Sequence, residues 1–238
     1  MRILIVAATE DEVQSLKSEV RSRKSEDGRR KTDTDVYPEG NQTSGLKAQD
    51  SGLQTLDLKF LITGVGMVAT AFALGRHLAN NQYDLAINLG IAGAFDRGIE
   101  LGEVIEISSD TFAELGAEDG DEFIPIDKLG FGTGTFRPSA KLSGFWPAAN
   151  PRTATAITVN MVNGNDASIK KITERLHPQL ESMEGAAFFY ACSQMNVPCI
   201  QIRAVSNYIE RRNRDNWKIG AAIKNLNTFA IEFLKQLA

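Results

Sequence analysis

The chain alternates short apolar runs with longer segments of helical periodicity. The runs are rich in aliphatic residues and too short for helices, a pattern typical of strands buried on both faces of a parallel sheet. The predicted strands are Ile3–Ala7, Phe60–Ile62, Leu85–Asn88, Val104–Ile107, Ala156–Val159 and Cys199–Val205.

Between these runs, apolar residues recur at intervals of three and four, which predicts amphipathic helices. The predicted helices are Met67–Leu78, Ser168–Leu176, Glu184–Met195 and Ile219–Leu237. Alternating strands and helices favour an α/β sandwich. The chain has 238 residues, of which 42% are hydrophobic, so it can bury one sizeable core and we expect residues 1–238 to form a single domain.

Two stretches interrupt the alternation. Residues 21 to 57 are dense in charged and small polar residues, so they cannot contribute much to a core and predict a surface excursion. This excursion is either a mobile hairpin or loop, or a lid over a functional site. Residues 115 to 151 hold several Gly and Pro together with Trp146, which indicates ordered loops near a site or an interface.

The charge balance limits the classes of partner. Lys and Arg total 26 against 30 Asp and Glu, which gives a formal net charge of -4. This balance argues against nucleic acid and against anionic membrane surfaces. The apolar stretch Ile3–Ala8 is too short for a signal peptide or a membrane-spanning helix, so we expect a cytoplasmic protein.

The chain's 2 cysteines are Cys192 and Cys199, and both lie in an apolar region. Neither forms a CxxC motif or has a His at metal-ligand spacing, which argues against a zinc site and against a disulfide framework. We therefore expect small core residues, and we expect neither a metal nor a cofactor.

Polar side chains occur at three positions where a site could form. Ser206 and Asn207 end a predicted strand, and open α/β sheets bind ligands at that end, although a simple turn is the alternative. Glu184 precedes a buried helix, and Glu12 follows the first strand. Each of these carboxylates could serve a site or could complement the dipole of the helix it opens.

Glycine-rich turns follow two of the predicted strands, at TGVGMVA (63–69) and NLGIAGAFDRGIELGEV (88–104). Glycine lets the backbone approach a ligand closely. Neither turn has the spacing of a dinucleotide-binding fingerprint or the Lys-Ser/Thr ending of a phosphate-binding loop. Alone, these glycines do not specify a ligand.

Taken together, these segments resemble the nucleoside phosphorylase superfamily, and particularly its methylthioadenosine nucleosidase branch. The pairing of MEGAA (183–187) with RAVSN (203–207) is the most specific match, and only residues 21 to 57 and much of 113 to 152 match poorly. The resemblance implies a three-layer α/β/α sandwich around a mixed, partly barrel-like sheet. It also implies a homo-oligomer.

The resemblance implies a role for each candidate residue. Glu12 would be the general base that activates a nucleophile, Glu184 would bind the ribose hydroxyls, and Asn207 would stabilise the leaving base. Met183 would pack against the sugar, and Ser206 would orient Asn207. The purine pocket implied by the resemblance comprises Met161, Val162, Trp217, Ala92 and Gly93.

One departure from the nucleosidase pattern concerns the base, because this chain has Ser206-Asn207 where that branch has Ser-Asp. Adenine offers an amino donor at C6 and an acceptor at N7, which suits a carboxyl group. A 6-oxopurine offers acceptors at both positions, and an amide can donate to them. Asn207 therefore indicates a hypoxanthine-type base.

The second departure concerns the nucleophile. Phosphorylases of the superfamily hold phosphate with arginines at the early glycine turns, but the corresponding segments here, AATEDE (7–12) and TGVGMV (63–68), contain no Arg or Lys. A phosphate dianion beside Glu12 would be poorly stabilised. Water is therefore the expected nucleophile.

Among 6-oxopurine hydrolases of this fold, SNYIERRNRDNW (206–217) together with MEGAA resembles the futalosine hydrolases. This resemblance implies release of hypoxanthine from futalosine in menaquinone biosynthesis. The substrate's anionic 5' substituent needs a cation, for which Arg211, Arg212 and Arg214 are candidates, although a solvated basic loop is the alternative.

Three other functions stay open at the level of sequence. They are a methylthioadenosine or adenosylhomocysteine nucleosidase, a purine nucleoside phosphorylase and a non-catalytic nucleoside-binding protein, since a fold alone does not fix function. The presence of both Glu12 and Glu184 argues against the last of these, because binding alone needs no base.

Overall fold

The structure is a computed structural model that describes residues 1–22, 56–140 and 151–237. Most of the predicted excursion at 21 to 57 lies outside the described residues, as does Trp146. Residues 21 and 22 belong to the end of a described helix.

The order of elements follows the predicted alternation of strands and helices. The helices are α1 (described over 14–22), α2 (Met67–Leu78), α3 (Asp166–Leu176), α4 (Gly185–Gln194) and α5 (Ile219–Leu237). The strands are β1 (Arg2–Ala7), β2 (Asp57–Ile62), β3 (Leu85–Ala94), β4 (Val104–Phe112), β5 (Gly116–Asp119), β6 (Glu122–Pro125), β7 (Thr135–Phe136), β8 (Arg152–Thr158), β9 (Leu180–Ser182) and β10 (Cys199–Tyr208).

Five of the described strands close into a barrel-like ring in the order β3, β10, β4, β8 and β9. The pairs β3–β10, β4–β8 and β8–β9 are parallel, whereas β10–β4 and β9–β3 are antiparallel. Strands β1 and β2 extend the sheet from β3, and both pairings are parallel. The sheet is therefore mixed and partly closed, which confirms the expected fold class.

Two large hydrophobic clusters pack helices against the sheet. One cluster joins α1 and α5 to the strands through residues such as Leu16, Leu226 and Phe233. The other joins α2 and α4 to the strands through residues such as Leu74 and Phe188. The helices thus cover both faces of the sheet, as a three-layer sandwich requires.

The cysteines belong to the second cluster. Cys192 and Cys199 are buried and carry free thiols, which confirms that they are small core residues. None of the described helices is long and apolar enough to cross a membrane.

Several strands extend beyond their apolar runs because buried polar residues continue them. Strand β4 runs on through Ser109 and Asp110, which are both buried, and β10 runs on through Ser206 to Tyr208. The stretch from 115 to 140, expected as loops, also holds the β5–β6 hairpin and β7. These short strands lack a continuous apolar run, so their pattern does not distinguish them from loops.

Candidate active site

The carboxyl ends of β1, β3 and β10 meet the beginning of α4 around one cavity of about 350 Å³. The cavity lies where parallel strands end, which is the usual position for ligands in such sheets. All but one of the candidate site residues line it, namely Glu12, Ala92, Gly93, Val162, Met183, Glu184, Ser206, Asn207 and Trp217. The exception is Met161, which is 75% exposed and lies outside the lining.

Glu12 is buried in the floor of the cavity, unlike its acidic neighbours. One carboxylate oxygen accepts hydrogen bonds from the backbone N–H and hydroxyl of Thr9, at 2.9 and 3.2 Å. The other accepts from the backbone N–H of Ile91 at 3.2 Å. Asp11 is exposed, and Glu10 forms an ion pair with Lys17. Asp11 also lines the cavity, but of the three acids Glu12 is the one that is buried there and held by backbone hydrogen bonds.

Arg203 is a buried cation next to Glu12 that the sequence analysis did not single out. Burial raises the pKa of Glu12, and the positive charge of Arg203 opposes that rise. A Cβ placed on Gly90 would lie 1.8 Å from Nη1 of Arg203 and 3.1 Å from Oε1 of Glu12. The signal in the sequence was an arginine within a strand predicted to be buried, since a buried charge needs a partner.

A buried hydrogen-bond chain holds the Arg203 guanidinium. Its Nη2 donates to Asn88 at 2.5 Å and to Oε1 of Gln201 at 2.8 Å. Nε2 of Gln201 donates in turn to Asp110 at 3.0 Å. The hydroxyl of Thr158 also donates to Asp110, at 2.8 Å. Desolvation raises the pKa of Asp110 to about 6 against these opposing contacts.

The same chain reaches the start of α4. The Thr158 hydroxyl accepts a hydrogen bond from the backbone N–H of Ala186 at 2.7 Å. Gly185 packs directly over Asp110 and Gln201, where a Cβ would lie 2.0 Å from one and 2.1 Å from the other. The polar chain therefore connects the strand that carries Arg203 to the helix that follows Glu184.

Glu184 occupies the N-cap position of α4 but makes no side-chain capping bond. Its carboxylate turns toward the cavity and accepts the backbone N–H of Gly66 at 2.9 Å and that of Met183 at 3.3 Å. Gly66 has a φ of 96°, a conformation that favours glycine, and this conformation orients its N–H. The Glu184 side chain therefore does not cap the helix, and its carboxylate is instead held in the cavity wall.

Ser206 and Asn207 form a fixed pair at the end of β10. The Ser206 hydroxyl donates to Oδ1 of Asn207 at 2.8 Å and lies 3.2 Å from the carbonyl oxygen of Ala92. Nδ2 of Asn207 donates to the carbonyl oxygen of Tyr208 at 3.1 Å. The amide thus has a defined orientation on the cavity wall and offers both a donor and an acceptor.

Glu181 is a further buried carboxylate on the cavity wall that the sequence analysis did not consider. It is 2% exposed, and burial raises its pKa, while hydrogen bonds from Asn163 oppose the rise. In the sequence, Glu181 could have been recognised as a second acidic residue close to the MEGAA motif, but it lies in a strand of only three residues.

The candidate cations divide between the rim of the cavity and the surface. Arg212 lines the cavity, and its guanidinium carbon lies 5.2 Å from the ring centre of Trp217. Arg214 also lies against Trp217, at 5.7 Å, but does not line the cavity. Arg211 is exposed and likewise outside the lining.

The cavity therefore combines three buried carboxylates, Glu12, Glu181 and Glu184, with an oriented amide at Asn207. A carboxylate can take a proton from water, and a second one can stabilise a developing cation. Among the residues that the structure describes, no group of three or more His, Cys, Asp or Glu side chains could hold a metal ion.

Known proteins are similar to this chain in sequence or in fold. A futalosine hydrolase of Streptomyces coelicolor is 37% identical over 174 residues, covering 70% of this chain and 74% of the relative. A futalosine hydrolase of Thermus thermophilus is 29% identical over 180 residues, covering 74% and 80%. A structure of a 5'-methylthioadenosine/S-adenosylhomocysteine nucleosidase from Colwellia psychrerythraea in complex with adenine has a TM-score of 0.73 at 21% identity, covering 100% and 96%.

Residues 2–237 also match the family model described as the phosphorylase superfamily. The match spans β1 to α5 and so includes every element that lines the cavity. The chain belongs to the phosphorylase superfamily, and within it the chain groups with the futalosine hydrolases.

Proposed function

We propose that this protein hydrolyses the N-glycosidic bond of futalosine, releasing hypoxanthine and dehypoxanthinyl futalosine, and that it acts in the cytoplasm in menaquinone biosynthesis. The observation that carries the proposal is the position of Asn207, fixed by Ser206 in the same cavity as the carboxylates of Glu12 and Glu184. The whole chain would act as one domain.

Glu12, as the carboxylate, removes a proton from a water beneath the anomeric carbon while the bond from C1' to N9 lengthens. General base catalysis of this kind contributes roughly 10²- to 10⁴-fold. Glu184 accepts hydrogen bonds from the ribose hydroxyls and stabilises the cation that develops on the sugar, against which Met183 packs. The products are ribose hydroxylated at C1' and the free base.

Asn207 stabilises the leaving base as negative charge moves onto N7 and O6. Its Nδ2 can donate to either acceptor, and its orientation is set in advance by the Ser206 hydroxyl. An amide N–H is too weakly acidic to be transferred as a carboxylic acid proton would be, so water delivers the proton that the departing purine takes. Val162 and Trp217 supply apolar contacts to the purine.

Water is favoured over phosphate as the nucleophile by the charges around the site. Among the described residues that line the cavity, Arg212 is the basic one, and its guanidinium lies beside Trp217. Arg203 is buried behind the cavity, where its Nε and Nη2 donate to Gln201 and Asn88. The position of Arg212 instead suits the anionic 5' substituent of futalosine.

We further propose that the protein is a homo-oligomer. Large apolar side chains are exposed on α2 and near it, with Val68, Phe72 and Phe131 at 77%, 68% and 80%. Val65, which is 57% exposed, also lines the cavity. Clusters of exposed apolar side chains mark interfaces, and a second copy on this face would close the side of the cavity at Val65.

The proposed function is tested by chromatographic detection of the free base in phosphate-free buffer. Futalosine, inosine and methylthioadenosine are each offered to the purified protein. Release of hypoxanthine from futalosine without phosphate supports both the substrate and water as the nucleophile. Release of adenine from methylthioadenosine in preference would overturn the proposal, and a requirement for added phosphate would indicate a phosphorylase.

A further inference from the structure

Glu181 is a carboxylate on the cavity wall that the mechanism above does not use. It is as deeply buried as the core, at 2% exposed, yet it lines the same cavity as Asn207. A buried carboxylate is costly unless it meets hydrogen-bond donors. Its donors are therefore informative about its role.

Among the residues that the structure describes, both donors to the Glu181 side chain belong to Asn163. The backbone N–H of Asn163 donates to Oε1 at 2.9 Å, and Nδ2 of Asn163 donates to Oε2. Each carboxylate oxygen has two lone-pair sites. Each oxygen therefore keeps the capacity to accept one more hydrogen bond from a ligand in the cavity.

The sheet places Glu181 and Asn207 on either side of one residue. Gly93 of β3 pairs with Glu181 of β9 on one side and with Asn207 of β10 on the other. All three residues line the cavity, at the same level of the sheet. A planar base that meets Asn207 at one point of its edge thus has Glu181 at a neighbouring point.

The edge of a 6-oxopurine carries N7, O6 and N1–H in that order. The first two are acceptors, and N1–H is a donor. In adenine, N1 is an acceptor that would face a carboxylate with its lone pair. A carboxylate next to the amide that meets N7 and O6 is therefore complementary to the 6-oxopurine and repels the 6-aminopurine.

We propose that Glu181 is a specificity-determining residue that accepts a hydrogen bond from N1–H of a 6-oxopurine bound at Asn207. The inference rests on the proposed function, since it deepens the assignment of the base. Asn207 and Glu181 would together distinguish donors from acceptors at three consecutive positions of the purine edge, namely N7, C6 and N1. A third donor also stabilises the carboxylate against the rise in pKa that burial imposes on Glu181.

The competing role for Glu181 is to anchor the loop that follows β8, and the structure supplies a matched control for it. Glu114 accepts the backbone N–H and Nδ2 of Asn160 at 3.2 and 3.3 Å. Asn160 lies three residues before Asn163 in the same loop, and it likewise donates its backbone N–H and its Nδ2 to one glutamate, although both bonds reach the same oxygen. Glu114, however, does not line the candidate active-site cavity.

The test compares inosine with purine riboside, which has an acceptor at N1 and no substituent at C6. The ratio of kcat/KM values for the two nucleosides is measured in the wild type, Glu181→Gln and Glu114→Gln. An amide at 181 can donate to the N1 acceptor, so we expect the preference for inosine to fall by roughly 5- to 150-fold in Glu181→Gln. In Glu114→Gln the ratio of kcat/KM values should stay within about twofold of the wild-type ratio, because Glu114 is exposed and lies outside the cavity.

An unchanged ratio in Glu181→Gln would overturn the inference, as would an equal change in both variants, which would assign Glu181 to anchoring the loop. Calorimetric binding of hypoxanthine and of purine to the same proteins repeats the comparison without turnover. If the wild type releases no base from any nucleoside but binds hypoxanthine more tightly than purine through Glu181, the proposed function fails and the inference stands.

Discussion

Glu12 and Arg203 approach each other across Gly90, which has no side chain to separate them. A Cβ at this glycine would collide with the Arg203 guanidinium at 1.8 Å and contact Glu12 at 3.1 Å. This arrangement places a buried cation close enough to influence a carboxylate in the cavity electrostatically. Since the cation opposes the effect of burial on the pKa of Glu12, it favours the ionised form that a general base needs.

Replacing Glu12 tests its role as the base. We expect Glu12→Gln to bind substrate normally and to lose at least about 100-fold in kcat, because an amide cannot take the proton from water. Steady-state kinetics with base release as the readout give both values. Glu10→Gln is the control, since Glu10 is an exposed acid on the same turn. Near-normal turnover in Glu12→Gln would eliminate this residue as the base.

Removing Arg203 should move the acid limb of the pH profile. The base must be ionised, so kcat/KM falls as the pH drops through the pKa of Glu12. Without the cation, burial and the negative charge of Glu184 both raise that pKa further, so the loss of activity begins at a higher pH. We therefore expect Arg203→Met to shift the limb upward, as measured with inosine between about pH 5 and 8.

Two further arginine variants serve as controls for the pH profile of Arg203→Met. Arg203→Lys keeps a cation and should shift the limb less than Arg203→Met. Arg212→Met removes an arginine on the rim beside Trp217 and should leave the limb in place. An identical acid limb in the wild type and Arg203→Met would show that the two groups are not coupled.

Asn207→Asp should change the choice of purine. A carboxyl group accepts from the amino group at C6 of adenine but meets O6 of hypoxanthine with like partial charge. We expect the ratio of rates on inosine and adenosine to move toward adenosine by roughly 5- to 150-fold, the range for one unpaired buried polar group. Competition between the two nucleosides in one reaction measures the ratio directly, and an unchanged ratio would remove the specificity argument.

The sequence predicted those parts of the molecule that repeat a simple pattern. The apolar run at Ile3–Ala7 falls inside β1, and the helical periodicity at Met67–Leu78 matches α2. Glu12, Glu184 and Asn207 were found because each lies at one end of a recognisable strand or helix, and the structure places all three at one cavity. Their catalytic roles stay predictions.

The residues that sequence reasoning missed act through contacts that are distant along the chain. Arg203 meets Asn88 across 115 positions, and Gln201 meets Asp110 across 91. Closure of the ring brings these polar groups inside, and no local pattern records that closure. Met161 is the candidate site residue that lies outside the cavity lining, since its side chain is exposed, whereas the neighbouring Val162 lines the cavity.

Asp110 should make stability depend on pH between about 4 and 6. Its pKa is about 6 in the folded protein against an ordinary 3.8, so in this window the folded state holds a proton that the unfolded chain has lost. The free energy of unfolding that Asp110 contributes is therefore present in full below this window and decreases as the pH rises through it, by on the order of 3 kcal/mol.

Urea unfolding across this pH range checks the prediction. Asp110→Asn carries no titrating group, so its stability relative to the wild type should increase as the pH rises from about 4 to 6 and then stay level. Asp121→Asn, which replaces an exposed carboxylate between β5 and β6, should follow the wild type at each pH. A constant difference between Asp110→Asn and the wild type would contradict the raised pKa.

Gly185→Ala should be destabilising, although alanine is the better helix former. The added methyl would overlap Asp110 and Gln201 at 2.0 and 2.1 Å, and relieving such overpacking costs about 1–3 kcal/mol. Gly220→Ala is the matched control, because Gly220 is an exposed residue of α5 with nothing within 4 Å of its Cβ position. That change should stabilise by about 0.5–1 kcal/mol.

If the buried polar chain constrains the start of α4, thermal unfolding should show a lower Tm for Gly185→Ala and a higher Tm for Gly220→Ala than for the wild type. One kcal/mol corresponds to about 2–4 °C in Tm for a domain of this size, so the two shifts are readily separated. Gly185→Ala should also lower kcat in the folded protein, since residue 185 directly follows Glu184 and any displacement moves that carboxylate. If both variants raise Tm, Asp110 and Gln201 leave room for a methyl group at the start of α4, and the position of Glu184 does not depend on their packing.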